Sequence, residues 1–118
     1  MTFVRLELAR NFMLGDDVVL LAMDGAGVAA IAAAVKDAEL HGASELEHPA
    51  MTQEFVVQPG DSTILIDSSR ALWRLSPQAA REIAECLDAL SEADRPGHHY
   101  VDISAPSDTL VLSRDEYV

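Results

Sequence analysis

Cysteine, lysine and aromatic residues are scarce in this chain of 118 residues. Each scarcity closes off a class of protein. Cys86 is the single cysteine, which leaves no internal disulfide and no multi-cysteine zinc or iron–sulfur site. Lys36 is the single lysine, and the 8 basic residues stand against 20 acidic ones, for a formal net charge of −12. A surface of that sign repels phosphate backbones and anionic lipid heads, so neither nucleic acid nor a membrane surface is expected as a partner. No run approaches the ~20 apolar residues that a bilayer-spanning helix needs. Met1–Arg10 carries Arg5 and Glu7 inside its apolar pattern and so lacks the hydrophobic block of a signal peptide; a cytoplasmic protein is expected.

What the chain does have is apolar content: 49% of its residues, with no low-complexity tract. That suits one folded domain over residues 1–118, enough for a two-layer core and too little for two. Two helices are legible. Leu75–Asp94 opens with Ser76, whose hydroxyl can cap free N–H groups, and Pro77, whose missing N–H costs nothing at the first helical position. Wound at roughly 100° per residue, it gathers Ala79, Ile83, Cys86, Leu87 and Leu90 on one side and a strongly acidic set opposite. Gly25–His41 is alanine-rich, preceded by Asp24 as a cap and followed by Gly42 as a stop.

Around these helices the pattern is extended. Phe3–Ala9 alternates, with Val4, Leu6 and Leu8 on one face, and Val18–Met23 is apolar on both faces, as an interior strand would be. Ser44–His48, Gln53–Gln58, Thr63–Asp67 and Ala71–Leu75 follow, separated by short turns such as Pro59-Gly60-Asp61 that favour an antiparallel meander. His99–Ser104 and Thr109–Arg114 close the chain after Pro96-Gly97. The order β-β-α-β-β-β-β-α-β-β predicts an α+β fold, an antiparallel or mixed sheet of about six or seven strands with two helices packed on one face. No internal repeat is visible. Two helices of ~17 residues cover only part of such a sheet, so its other face either carries a homodimer or partner surface or is buried by strong curvature.

Chemistry-bearing residues are sparse. Asp24-Gly25-Ala26-Gly27 matches no phosphate-loop spacing and places an acid where an anion would sit. Cys86 lies beside Glu82 and Glu85, the wrong company for a nucleophilic thiol, and reads as a core residue. No serine stands in a Gly-x-Ser-x-Gly or Ser-x-x-Lys setting. His98, Tyr100 and Asp102 share one strand face, while His99 points the other way. A carboxylate beside an imidazole is the minimal unit for proton transfer or a two-point metal site, but no third ligand stands at useful spacing. No metal, cofactor or enzymatic activity is therefore expected. The remaining candidate is the acidic face of the second helix, where Glu82, Glu85, Asp88 and Glu92 would meet arginines and lysines of a basic partner; Asp94, Asp115 and Glu116 would widen the patch, but their place relative to the helix is not legible in the sequence.

Asp24-Gly25-Ala26-Gly27, Trp73-Arg74-Leu75-Ser76-Pro77, Arg95–Ile103 and Leu110–Tyr117 together span most of the chain beyond Met23. In these phrases the chain resembles the small acidic immunity proteins of bacterial polymorphic-toxin systems. The resemblance implies a non-enzymatic inhibitor that binds a cognate toxin, and it transfers no binding residue position by position. A structural or regulatory homodimer and a small metal protein or enzyme built on His98, Tyr100 and Asp102 are the alternative expectations.

Overall fold

The computed structural model describes residues 2–118. Ten elements follow one another: β1 (Val4–Met13), β2 (Asp16–Met23), α1 (Gly25–His41), β3 (Ala43–Leu46), β4 (Thr52–Val57), β5 (Thr63–Ile66), β6 (Arg70–Leu75), α2 (Pro77–Ala93), β7 (Gly97–Asp102) and β8 (Thr109–Arg114). The class is α+β and the order of elements is the one expected. The single sheet of six or seven strands is not found. Eight strands form two mixed sheets of four, β1-β2-β8-β7 and β3-β4-β6-β5.

The meander fails for a definite reason. β4 does not pair with β5; the Pro59-Gly60-Asp61 turn carries the chain past it, and β4 runs parallel to β6 instead. Likewise β2, apolar on both faces, takes β1 as one neighbour and reaches across most of the chain for a parallel partner, β8, on its other side. Each sheet is thus two hairpins joined by one parallel pair.

Both helices begin and end on local chemistry. The Asp24 carboxylate accepts the Gly27 N–H at 2.7 Å, and Gly42, at a φ of 90°, takes the left-handed conformation and donates its N–H to the Ala38 carbonyl. The Ser76 hydroxyl oxygen accepts the Ala79 N–H at 3.0 Å with Pro77 in the first turn. Asp94, with a φ of 50°, closes α2, and Gly97 already belongs to β7.

Although no repeat is visible in the sequence, the chain runs through hairpin, helix, hairpin twice: β1-β2-α1-β3-β4, then β5-β6-α2-β7-β8. The pairing scheme repeats as well. Each sheet holds the first hairpin of one half and the second hairpin of the other. Both helices are 17 residues long and six equivalent positions are buried in both: Gly27, Val28, Ile31, Ala32, Val35 and Ala38 in α1 correspond to Ala79, Ala80, Ile83, Ala84, Leu87 and Leu90 in α2, and only Ala34, equivalent to half-buried Cys86, breaks the match. Lys36 and Asp88 occupy equivalent seats 52 residues apart and bond to each other at 2.6 Å, so they mark where the internal two-fold passes between the helices.

One core serves the whole molecule. The inner faces of both sheets and the facing sides of both helices bury Leu21, Ile31, Val35, Phe55, Trp73, Ile83, Leu87 and Leu112 in a single cluster. Trp73 packs on Phe55 with ring centroids 5.1 Å apart and donates its indole N–H to Gln53 Oε1 at 2.8 Å. The outer face of the first sheet is also closed. Val18, Leu20, Ala22 and Val111 are buried there under Phe3, Ala9, Phe12 and Met13, and the Phe12 ring meets Tyr117 at 5.6 Å. On this face the long β1 strand and the C-terminal segment do what a third helix would otherwise do, whereas the outward side of β5 in the second sheet leaves Leu65 exposed. Among the described residues, no helix is long and apolar enough to cross a membrane.

Candidate functional site

The acidic face of α2 is built by ordinary helical spacing, since burying Ile83, Leu87 and Leu90 turns Glu82, Glu85 and Glu92 to solvent. Those three carboxylates have no ionic or hydrogen-bonding partner among the described residues. Asp88 differs from them. It is half-buried at the edge facing α1 and engaged by Lys36. Arg81, the one cation on this flank, reaches Glu39 of α1 at 3.5 Å. Of the four acids expected to meet a partner, three are presented outward and one ties the helices together.

The supporting acids are engaged elsewhere. Arg114, almost buried at the end of β8, pairs with Asp94 at 2.9 Å and Asp115 at 3.2 Å, and donates to the carbonyls of Leu90 and Ser91 that α2 leaves free at its last turn. Glu116 accepts from the Ser113 hydroxyl at 2.6 Å and meets His98 Nδ1 at 3.0 Å. Burial pushes the Glu116 carboxyl up, but the bonds from Ser113 and His98 outweigh it and hold the group below the usual carboxylate range.

The strand-face triad is half assembled. His98 and Tyr100 do meet, at 3.1 Å between Nε2 and the phenol oxygen with the rings edge to face, but Glu116 is the carboxylate at the imidazole. Asp102 stands apart, lining a small cleft at the start of α2 with Asp61 and Glu82. Among the described residues, no group of three or more His, Cys, Asp or Glu side chains converges as a metal ion would require. Cys86 is half-buried, and burial first, then Glu82 and Glu85, pushes its thiol up, away from the nucleophilic thiolate.

Two of the surface clefts are related by the internal two-fold. The larger, about 750 Å³, opens between the start of β1, Ala30 of α1 and the segment after β3; its walls include Phe3, Val4, Arg5, Leu46, Glu47 and His48. The smaller, about 330 Å³, opens at the corresponding place in the other half. Strand register and helix position pair their walls: Phe3 with Asp61, Val4 with Ser62, Ala30 with Glu82, Glu47 with Asp102, His48 with Ile103, and Pro49 with Ser104. One is apolar and open; the other is polar, carries Asp61, Glu82 and Asp102, and is bridged by the chain's own backbone, Ile64 N–H to the Ala105 carbonyl at 2.9 Å and Ser104 N–H to the Ser62 carbonyl at 2.8 Å. Nothing in the residue pattern announced the apolar cleft. Its walls come from segments more than forty residues apart, and neither wall is unusual alone.

No protein-family model matches the chain, and comparison with curated proteins and with solved structures gave no match.

Proposed function

We propose that this protein is a non-enzymatic binding protein that docks a basic protein through the outward face of α2. The carrying observation is the contrast in pairing. Six of the eight basic side chains, Arg5, Arg10, Lys36, Arg70, Arg81 and Arg114, each sit against a carboxylate, whereas among the described residues Glu82, Glu85 and Glu92 stand exposed along one helix face without an ion pair, Arg81 beside them being taken by Glu39. A row of uncompensated charge on a rigid helix, in a molecule of net charge −12, steers a cationic surface inward and holds it in register. Asp61 and Asp102, around the corner from Glu82, extend the same negative surface.

The resemblance to immunity proteins supplies the class of partner, a cognate bacterial toxin that is neutralised by direct binding, its active site or substrate path covered. An acidic helix face suits a basic nuclease especially, because it meets the groups that otherwise hold phosphates.

The test uses the purified protein as bait in lysate of its source organism, eluted with a salt gradient. The affinity of the captured partner is then compared for the wild type and the triple variant Glu82→Lys, Glu85→Lys, Glu92→Lys. Asp88 is left intact because its bond to Lys36 makes its loss a structural change. The expected loss exceeds tenfold, about 1.4 kcal/mol or more. Unchanged affinity in the triple variant removes the α2 face from the interface.

A further inference from the structure

We infer that the apolar cleft beside β1 receives an extended strand of a partner protein, bonded through its backbone to Val4 and Leu6. This surface is separate from the outward face of α2, so either assignment stands or falls without the other.

The argument begins with which backbone groups β1 leaves free. The Phe3 carbonyl accepts the Asp24 N–H, which fixes the phase of the antiparallel pair Val4↔Met23, Leu6↔Leu21. Residues 3, 5 and 7 bond toward β2, and residues 4, 6 and 8 turn their N–H and C=O groups to the sheet edge. In the other half, Ser62 and Ile64 hold the positions of Val4 and Leu6, and the chain's own Ser104–Ala105 segment satisfies them in a parallel bridge. Across the apolar cleft that closure is missing. Among the described residues, the hydrogen bond that spans it comes from a side chain, His48 Nε2 to the Thr2 carbonyl at 3.1 Å, and the intervening space is about 750 Å³. His48 is held for this task, since its Nδ1 accepts the Ala50 N–H, leaving the proton on Nε2.

The closed half is therefore a template for the occupant of the open one: extended backbone, parallel to β1, donating to the Val4 carbonyl and accepting from the Leu6 N–H. Alternation along a strand then places every second side chain in the cleft, against Leu46 and Ala30, where an apolar residue fits. At the rim, Arg5 is already paired with Glu7 at 3.4 Å while Glu47 is exposed and without an ion pair among the described residues, so a basic side chain beside Glu47 completes the match. A strand edge left open beside an apolar trough is what peptide-binding domains use to add a strand, and folded proteins otherwise keep such edges covered.

The test is a displayed library of random 8-residue peptides selected on the wild-type protein and on Ala30→Arg, which fills the cleft floor with a cation; circular dichroism verifies that the variant is folded. Peptides enriched only on the wild type, alternating apolar and basic residues, are expected. Bound to labelled protein, the best of them should slow Leu6 N–H exchange at least tenfold and lose at least tenfold in affinity when the amides facing β1 are N-methylated. Three results overturn the inference: equal enrichment on both proteins, binding indifferent to N-methylation, or Leu6 protection that rises with protein concentration in the absence of peptide, which would make the occupant a second copy of this chain.

Discussion

The Gln53–Trp73 pair offers the sharpest test of how the second sheet is held together. Gln53 is 1% exposed and Trp73 fully buried, and the indole N–H to Oε1 bond of 2.8 Å joins neighbouring strands of the parallel β4·β6 pair. Gln53→Leu leaves the indole N–H dry and unpaired, at a cost of about 1–3 kcal/mol, reduced somewhat by the apolar side chain that replaces the amide. Trp73→Phe strands the amide in the same way and adds a void, for about 2–3 kcal/mol in all. The double variant removes both partners of the bond, so its cost should fall short of the sum by about 1 kcal/mol or more. Leu110 and Leu21 occupy the corresponding seats in the first sheet, so the fold tolerates apolar residues there. A domain of this size has about 5–15 kcal/mol of stability, and all three variants remain folded. Urea unfolding followed by circular dichroism is the measurement, because Trp73 is the only tryptophan and fluorescence is lost with it. Costs that simply add, within about 0.5 kcal/mol, would show that the bond contributes nothing beyond packing and refute the reasoning.

Two further predictions concern single residues. Gly27→Ala should lower stability by about 1–3 kcal/mol, because the added Cβ collides with the Phe3 carbonyl oxygen, although alanine stands at the equivalent Ala79 of α2; an unchanged melting temperature would deny that close approach. Glu116→Gln should cost stability near neutral pH and progressively less in acid. The folded carboxyl titrates below its usual 4.5, so its contribution is complete above that value and disappears as pH falls through the lower, folded one; a stability gap that is constant with pH would contradict this.

Helix ends were legible in the sequence because they rest on short-range chemistry. Asp24, Gly42 and Ser76-Pro77 act within three or four residues of where they stand, and Gly25–His41 is found as expected. Strand pairing was not legible. That Val18–Met23 needs a neighbour on each side can be read from its apolar faces; that the second neighbour is Thr109–Arg114 cannot, because either edge of the sheet offers the same hydrogen bonds. The internal two-fold escaped notice for a similar reason. Core seats require only apolar residues of suitable volume, and between the helices only Ile31/Ile83 and Ala32/Ala84 are identical among the shared buried positions. For the candidate site, charge was readable and its cancellation was not. The removal of Asp88 by Lys36, and of Asp94 and Asp115 by Arg114, depends on tertiary approach.

The exchange of hairpins between halves reaches into how the protein is made. As the ribosome releases the first half, β2 has β1 beside it but must wait for Thr109–Arg114 to emerge before its other edge is covered, and the first half's own β3-β4 hairpin waits for β6. Neither half completes a sheet alone, so cooperative folding is deferred until nearly the whole sequence is present, and a nascent chain stalled midway exposes two strand edges to whatever the cell supplies.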